Sequence, residues 1–391
     1  MKILFLDQSG NLGGAELCLL DLAKFYSDSC LVALLVDGSF KKALEQHQIS
    51  VRILSSKQLK IRKDSRFWQS IQNIKLLLLL ITKVVRLSRD RDLIYANTQK
   101  ALVVGAIASL LMGKPLVYHL HDILSLEHFS QTNRRLAIFL ANRFAALIIA
   151  NSEATKTAFV EAGGNSNLVE VVYNGFDLEK YRHNYGDRIT ELKQELNLSG
   201  QYIIGHFSRL SPWKGQHILI EALTHCPQAT AILVGDALFG EHEYVQQLHQ
   251  QVKQLGLSDR VHFLGFRSDV VELMSMCDLV VHTSTAPEPF GRVIVEAMLC
   301  GKPIVATAAG GATELIDDGH TGWLTPPGDV LKLAEIIEQC RQQSEATYNI
   351  AQSGKISAIQ RFDLLRVQRQ IDDLLNSVVG NFNEEKTSMK N

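Results

Sequence analysis

Hydrophobic and polar residues alternate in a regular rhythm along most of this chain. Short apolar or β-branched runs are separated by longer segments with apolar residues at helical spacing. The first half contains seven such runs, at 3–6, 31–36, 51–54, 93–96, 116–118, 147–150 and 169–172. Five more follow in the second half, at 202–206, 231–234, 261–264, 279–282 and 304–306. Strands that alternate with helices predict parallel sheets covered on both faces, so we predict two doubly wound α/β halves.

The strand rhythm is interrupted between residues 174 and 200, where the chain is mostly polar. This interruption predicts the hinge between two domains, as the length of 391 residues also suggests. The predicted organisation is an N-terminal domain at 1–185, a C-terminal domain at 186–360, a final helix at 361–380 and a disordered tail at 381–391. Ligands of open α/β sheets bind at the carboxyl ends of the strands, so we expect functional residues in the strand-to-helix loops.

Net charge narrows the classes of partner. The chain has a net charge of −1 and a pI of about 6.9, which argues against a nucleic-acid binder that relies on bulk positive charge. The charge is unevenly distributed, since residues through Tyr185 sum to +7 and the remainder to −8. We therefore expect the two halves to meet different partners.

The cysteine and hydropathy patterns predict a compartment. Six cysteines occur singly in apolar segments without a C-x-x-C pair, which is typical of buried thiols in a reducing compartment. The apolar run at the N-terminus is broken by Asp7 and predicts a first strand rather than a signal peptide. The uncharged stretch 101–113 is too short to span a bilayer. These observations predict a cytoplasmic protein.

Gly13 and Gly14 follow the first strand and open a helix. Glycine permits close backbone approach, and a helix N-terminus offers N–H groups to a phosphate, although a simple tight turn is the alternative. Neither G-x-G-x-x-G nor G-x-x-x-x-G-K-[ST] occurs in the chain, which disfavours dinucleotide enzymes and P-loop NTPases.

His119 and His121 stand at the end of the fifth predicted strand. A zinc site needs three or four ligands, and no third histidine or thiol is nearby in sequence. We predict instead that one imidazole meets the substrate, and we favour His121, beside Asp122, over His119. A structural histidine is the alternative.

The second half opens with a strand followed by Arg209 and Lys214, five residues apart and just before a helix. Arginine can donate to two phosphate oxygens and lysine adds a point charge, so this loop suits a diphosphate. Solvated surface charge is the alternative. Gly310 and Gly311 occupy a similar position after a later strand and could present N–H groups to a ligand.

Glu288 and Glu296 frame the segment EPFGRVIVE. Pro289 disfavours helix at Glu288, so the helix is predicted to start near Gly291, with Glu296 in its second turn. The two carboxylates should therefore not lie on one helix face. Glu296 could accept both hydroxyls of a ribose, while the N–H groups of Phe290 and Gly291 could meet a phosphate or a sugar hydroxyl.

Taken in order, these motifs resemble those of the retaining GT-B glycosyltransferases of family 4, also called glycosyl transferases group 1. The resemblance covers nearly the whole chain. Its motifs are GGAE at 13–16, HD at 121–122, NG-x-D at 174–177, SRLSPWKG at 208–215, VGD at 234–236, EPFGRVIVEAM at 288–298, GKPIVAT at 301–307 and GG at 310–311.

The resemblance implies two Rossmann-like domains that face each other across a cleft, with a C-terminal helix that crosses back to the first. It implies transfer of a hexosyl group, with retention, from a UDP-, GDP- or ADP-sugar to a glycan or lipid-linked acceptor, without a metal or other cofactor. Such enzymes serve polysaccharide and cell-envelope biosynthesis. The roles that it implies are Gly13, Gly14, Arg209 and Lys214 at the diphosphate, Glu296 at the ribose, Glu288, Pro289, Phe290 and Gly291 at the donor sugar, and His121 and Glu288 as catalytic residues.

Three other functions remain open on the sequence alone. A glycosidase would need two carboxyl groups about 5 Å or about 6.5 to 9.5 Å apart around one bond, which is incompatible with a ribose-binding Glu296. A GT-B sugar-nucleotide epimerase would act on the donor without an acceptor. A nucleotide-sugar-binding protein without transfer activity is the third alternative.

Residues 57–91 form a basic segment with ten Lys and Arg against Asp64 and Asp90, interleaved with Phe67, Trp68 and the leucines 76–80. A helix of this composition can lie at an anionic membrane surface, which would place the protein peripherally at the inner face of a membrane. Packing of the leucines against the sheet is the alternative, and the sequence favours neither.

Overall fold

The computed structural model describes residues 1–55, 67–125, 129–183, 185–237 and 240–388, and it divides into two compact units. Unit 1 comprises Met1–Gly175 together with Leu364–Asn391, and unit 2 comprises Phe176–Asp363. The observed division thus falls earlier than the predicted boundary at 185/186. The reason is that the polar segment after Gly175 leads into a helix, Gly186–Glu195, that packs within unit 2.

Unit 1 is built on a seven-stranded parallel sheet whose strands coincide with the seven predicted runs. Its strands are β1 (Ile3–Asp7), β2 (Cys30–Leu34), β3 (Val51–Ile53), β4 (Leu93–Ala96), β5 (Leu116–Leu120), β6 (Ala145–Ala150) and β7 (Val169–Val171), in the order β3-β2-β1-β4-β5-β6-β7. Its first helices are α1 (Gly14–Phe25), α2 (Ser39–Gln46), α3 (Phe67–Leu87), α4 (Gln99–Met112), α5 (Gln131–Phe144) and α6 (Glu153–Glu161).

Both faces of the central part of this sheet are buried, which explains why strands such as β1, β2 and β4 are almost entirely apolar. In β1, Leu4 and Leu6 belong to one core cluster, whereas Ile3 and Phe5 belong to another on the opposite face. This is the period-2 alternation of a strand, with an apolar layer on each side.

Unit 2 repeats the plan with a six-stranded parallel sheet. Its strands are β8 (Tyr202–Phe207), β9 (Ala229–Val234), β10 (Val261–Gly265), β11 (Leu279–His282), β12 (Ile304–Thr307) and β13 (Trp323–Thr325), in the order β10-β9-β8-β11-β12-β13. Its helices are α7 (Gly186–Glu195), α8 (Gln216–Ala222), α9 (His242–Gln254), α10 (Val270–Met276), α11 (Arg292–Leu299), α12 (Ala312–Leu315), α13 (Val330–Gln342) and α14 (Ser344–Arg361). Only β13 was not predicted, because a three-residue edge strand leaves too short a pattern.

The C-terminal helix, α15 (Leu364–Ser388), belongs to unit 1. Ile371 and Leu375 are buried in the same cluster as Phe5, and Lys386 donates to the carbonyl of Gly113 at the end of α4. The chain is helical through Ser388, so the prediction of a disordered tail at 381–391 is wrong for residues 381–388. Residues 389–391 lie outside the described residues. Among the described residues, every helix is either too short or too polar to span a bilayer.

Each sheet reverses its strand order once, between β1 and β4 in unit 1 and between β8 and β11 in unit 2. At such a switch point the connections leave toward opposite faces, and a crevice opens at the carboxyl ends of the strands. The loops that follow these four strands, and those after the neighbouring strands β5 and β12, hold the residues of interest in both units.

Candidate functional site

The site in unit 2 is centred on the carboxylate of Glu288, in the loop after β11. Its Oε2 accepts hydrogen bonds from Lys214 Nζ at 2.6 Å, His282 Nε2 at 3.1 Å and Ser284 Oγ at 3.1 Å. The side chain of Glu288 is only 12 % exposed. A carboxylate that is this little exposed and accepts from three donors is rigidly held, so its position is set before any ligand binds.

Burial alone would raise the pKa of Glu288, but the charge of Lys214 and the contacts with His282 outweigh burial. They hold the pKa well below its usual range, so the carboxyl group is ionised at neutral pH. A glycosidase acid must carry a proton at that pH, and Glu288 does not suit that role.

Trp213 lies beside both cations of the loop after β8. Lys214 Nζ is 4.0 Å from the centroid of its ring, and Arg209 Cζ is 6.0 Å from the same ring. Arg209 Nε also lies 3.4 Å from Glu241 Oε2, at the start of α9. The structure thus brings Arg209, Lys214 and Glu288 together. A phosphate group could replace the carboxylates of Glu241 and Glu288 as the partner of the two cations.

Two glycines allow the site loops to pack against each other. Gly215 has a φ of +71°, and a Cβ there would lie 1.9 Å from the carbonyl oxygen of Thr283. Gly310 has a φ of +63°, and its Cβ would lie 2.3 Å from the carbonyl oxygen of Glu288. Gly311 donates its N–H to that same oxygen at 2.7 Å. This corrects the expectation for Gly311, because its N–H holds the Glu288 loop.

Glu288 and Glu296 are on different elements, as expected from Pro289. Helix α11 begins at Arg292, which leaves Glu288 in the loop and Glu296 in the second turn. Burial raises the pKa of Glu296, against the opposing charges of Arg292 and Lys180. Arg292 Nε lies 3.7 Å from Glu296 Oε1.

Arg292 and Phe290 join Glu296 to an aromatic cluster. The guanidinium carbon of Arg292 lies 4.5 Å from the centroid of the Phe176 ring, which stacks on Phe290 at 6.4 Å. The Phe290 side chain is buried, so any contact with a sugar would fall to its backbone. The predicted sugar contacts of Pro289, Phe290 and Gly291 stay predictions.

The candidate residues of unit 1 lie at the carboxyl ends of β1, β4 and β5. His119 is inside β5, where its ring is buried and its Nδ1 lies 2.7 Å from the hydroxyl of Tyr95. Burial, then the neighbouring His121, hold the pKa of His119 well below its usual value. His121 follows the strand, and its Nε2 lies 2.9 Å from Oδ1 of Asn97. His119 is therefore enclosed in the sheet beside Tyr95, and the preference for His121 as the residue that meets a substrate stays a prediction.

Helix α1 begins behind Gly13 with a buried acid in its first turn. A Cβ on Gly13 would lie 2.8 Å from Oε2 of Glu16. Burial, reinforced by the charge of Asp7, raises the pKa of Glu16 to about 7, and burial raises that of Asp7 to about 6. A carboxyl group therefore already occupies the N-terminal turn where a phosphate was expected, and the diphosphate contact of Gly13 and Gly14 stays a prediction.

Several polar residues of these sites were not predicted, namely Asp7, Asn97, Glu241, His282 and Ser284. Three of them end an apolar strand or directly follow one. A polar residue in that position is a signal that could have found them. Among the described residues, no three His, Cys, Asp or Glu side chains are grouped as metal ligands would be.

Comparison with known proteins identifies the two halves separately. Residues 12–180 match the family described as Glycosyltransferase Family 4, and residues 187–356 match Glycosyl transferases group 1. The N-acetyl-alpha-D-glucosaminyl L-malate synthase of Bacillus anthracis is 32% identical over 215 residues, or 54% of each chain. Spore coat protein SA of Bacillus subtilis is 33% identical over 218 residues, or 52% of this chain and 57% of that one. The chain spans about half the length of the curated relatives it matches.

A solved structure extends the likeness over the whole fold. The crystal structure of Anabaena HepE in complex with UDP-glucose is 57% identical to this chain, with a TM-score of 0.90. The match covers 96% of this chain and 100% of HepE. The two parallel sheets, the order of the motifs and these matches agree, which also confirms the predicted fold class. The chain belongs to the family 4 (glycosyl transferases group 1) glycosyltransferases of the GT-B fold.

Proposed function

We propose that this protein transfers a glucosyl group from UDP-glucose to a hydroxyl group of a glycan or lipid-linked acceptor, with retention of the anomeric configuration. The observation that carries the donor is the binding of UDP-glucose by HepE, which is 57% identical over nearly the whole chain. The two cations beside Trp213 supply a physical basis, because Lys214 is paired with Glu288 and Arg209 with Glu241, and both could bind phosphate oxygens instead.

In this proposal the protein stabilises the charge of the leaving diphosphate. Lys214 and Arg209 turn from Glu288 and Glu241 to phosphate oxygens, and no metal ion is required because these cations supply the charge. Glu288 accepts hydrogen bonds from hydroxyls of the glucosyl group, and Glu296 does so from the ribose. The acceptor hydroxyl attacks from the side of the leaving group, and its proton passes to the departing phosphate.

The donor is tested by calorimetric titration of the full chain with UDP-glucose, GDP-glucose and ADP-glucose, each with and without EDTA. We expect UDP-glucose to bind in both conditions. Lys214→Met should weaken binding about tenfold or more, since a charge-assisted contact contributes roughly 1.5–3 kcal/mol. Binding of none of the three would contradict the proposal, and binding only without EDTA would contradict its metal independence.

The reaction is tested by following UDP-glucose by NMR with and without a glycan acceptor. Transfer predicts UDP release that depends on the acceptor and an α-linked product. A new UDP-hexose formed without acceptor would identify an epimerase instead. Unchanged donor with every acceptor would favour a binding protein.

We also propose that helix α3 contacts an anionic membrane surface, where lipid-linked acceptors are found. The leucine-rich helix divides its apolar residues between two faces. Leu80, Ile81 and Val84 are buried in unit 1, whereas Ile74, Leu78 and Leu79 are exposed by 57%, 58% and 47%. The part of the sequence prediction that concerns residues 57–66 and the side chains of Phe67 and Trp68 lies outside what the structure describes.

The exposed face of α3 also carries positive charge. Lys75 and Arg86 are exposed, and the helix contains no acidic residue. Such a face combines apolar burial with attraction to anionic lipid, at about 1 kcal/mol per cation near the surface. Core packing and membrane contact, the two alternatives open on the sequence, are therefore compatible.

Flotation with phosphatidylglycerol vesicles tests the membrane contact. We expect binding at low salt, weaker binding at high salt, and loss of binding when Leu78 and Leu79 are both changed to Ser. Leu331→Ser is the matched control, since Leu331 is 66% exposed but lies on α13 of unit 2. Equal flotation of the wild type and the Leu78/Leu79 variant would contradict the proposal.

A further inference from the structure

A buried hydrogen-bonded chain in unit 1 joins the carboxyl ends of β1, β4 and β5. Asn97 donates from Nδ2 to Asp7 Oδ2 at 2.7 Å and to the carbonyl of Ala15 at 3.2 Å. Its Oδ1 lies 2.9 Å from Nε2 of His121. Asp7 and Asn97 are almost completely buried, at 0% and 1% exposure. The three side chains come from residues far apart in sequence and meet only at the switch point of the sheet.

The partners of Asn97 fix the direction of each hydrogen bond. Carbonyl oxygens, and a carboxylate when ionised, only accept, so the two contacts of Nδ2 orient the amide with its NH₂ group toward Asp7 and Ala15. Oδ1 is then the atom that faces His121, and it too only accepts. Nε2 of His121 must therefore carry a hydrogen, which determines the imidazole tautomer.

Asp7 is itself held in place. Its Oδ1 accepts from the N–H of Ser9 at 2.7 Å, and the backbone N–H of Asn97 donates to the carbonyl of Leu6 at 2.9 Å. The amide of Asn97 therefore cannot rotate without breaking contacts to two other elements. A buried network with every contact made is rigid and specifies one geometry.

We propose that Asn97, braced by Asp7, is a positioning residue that fixes the ring orientation and the Nε2–H form of His121. This inference rests on the predicted role of His121 in the proposed transfer reaction. It assigns Asp7 and Asn97 no contact with the substrate. Their effect on the reaction passes through His121.

The form of His121 is tested by NMR on the full chain labelled with ¹⁵N-histidine, with His121→Gln to assign the signal. Two-bond ¹H–¹⁵N correlations distinguish Nε2–H from Nδ1–H. We expect Nε2–H in the wild type and a mixture of both forms in Asn97→Ala. Asn142→Ala is the matched control, because Asn142 is an exposed asparagine of unit 1 that bonds to Gly163. An unchanged His121 signal in Asn97→Ala would overturn the proposal.

A double exchange separates positioning from general damage to the fold. In Asp7→Asn with Asn97→Asp, the amide at position 7 can donate to the carboxylate at position 97, whose second oxygen can accept from His121. Transfer from UDP-glucose should fall about five- to tenfold in kcat in each single variant, with KM little changed. It should recover in part in the double variant, where the carbonyl of Ala15 still lacks the donor that Asn97 supplies. A folded double variant in which the Nε2–H signal of His121 returns but kcat does not recover would overturn the proposal, because His121 would then be held correctly and the reaction would still be impaired.

The two readouts keep this inference separate from the proposed function. If the wild type does not turn over UDP-glucose, the donor proposal fails while the NMR comparison still decides whether Asn97 holds His121. If turnover is observed and Asn97→Ala leaves both the signal and kcat unchanged, the positioning role alone fails.

Discussion

At the scale of single residues, burial and charge pairing set opposite protonation behaviour in the two units. Glu288 of unit 2 is kept ionised by Lys214 and His282, although it is buried. Glu16 of unit 1 is also buried, but its neighbour Asp7 is another acid, and its pKa rises to about 7. Sequence shows all these residues as isolated charges, and only their packing partners decide which of them keeps a proton.

Glu16 gives a prediction for the pH dependence of stability. Its pKa in the folded protein, about 7, lies above the ordinary value of 4.5, so the folded state binds more protons between these values. Unit 1 should therefore lose stability as the pH rises from about 4.5 to 7. Glu16→Gln removes this loss and should be more stable than the wild type at pH 8, by roughly 1–3 kcal/mol.

Thermal unfolding at pH 5 and pH 8 checks this expectation. Glu153→Gln is the control, because Glu153 also lies in the first turn of a unit 1 helix but is exposed. Its unfolding temperature should differ from the wild type equally at both pH values. A Glu16→Gln variant with the same pH slope as the wild type would contradict the prediction.

At the scale of elements, loops at the carboxyl ends of the strands are held together by backbone contacts. The loop with Glu288 lies against Gly310 and Gly311, which belong to the turn after β12. The sequence showed these glycines as a motif and suggested a ligand contact. It could not show that the neighbour is the backbone of Glu288, because the strands β11 and β12 must first be paired.

Gly310→Ala should displace the Glu288 loop. The added Cβ would lie 2.3 Å from the carbonyl oxygen of Glu288, and the φ of +63° is already unfavourable for alanine. Gly319→Ala isolates the backbone effect, since Gly319 has a φ of +74° with nothing within 4 Å of the new Cβ. Gly319→Ala should cost about 1 kcal/mol of unfolding free energy, and Gly310→Ala more.

Urea denaturation and UDP binding measure the two effects. We expect Gly310→Ala to weaken UDP binding, whereas Gly319→Ala should leave it close to the wild type. Equal losses of stability in the two variants would indicate that the Cβ contact with the Glu288 loop is unimportant.

At the scale of the whole molecule, the two units do not simply follow one another along the chain, because unit 1 contains both the first and the last residues. The C-terminal helix α15 completes unit 1, where Gln368 donates to the carbonyl of Asp21 at 2.7 Å and Tyr26 donates to Asp372 at 2.5 Å. Unit 2 is thus a continuous segment, whereas unit 1 consists of two segments.

Removal of residues 364–391 should therefore destabilise unit 1, although the deletion lies at the end of unit 2 in sequence. The deletion exposes the apolar residues that Ile371 and Leu375 cover. Hydrogen exchange should show faster exchange in α1 and β1 and unchanged exchange in β8 and β11. The fragment 176–363 should fold by itself, as judged by cooperative thermal unfolding. Loss of protection in unit 2 alone would contradict this prediction.

The sequence by itself determined the periodic features of this protein. The strand and helix periods predicted two parallel α/β halves, and the spacing of Glu288, Pro289 and Glu296 placed the two acids on different elements, because these are local properties of the backbone. The motifs identified the family for the same reason, since each is a short segment with its own geometry.

The tertiary structure alone decided which side chains meet. His282 and Ser284 share the carboxylate of Glu288 with Lys214, and Asn97 stands between Asp7 and His121. Lys214 is 74 residues from Glu288, and Asn97 is 90 residues from Asp7 and 24 from His121. These partners come together because parallel strands bring their carboxyl ends to one edge of a sheet, and no local pattern in the sequence specifies the strand order. His282 and Ser284 are close to Glu288 in sequence, but only the conformation of the loop shows that they share its carboxylate.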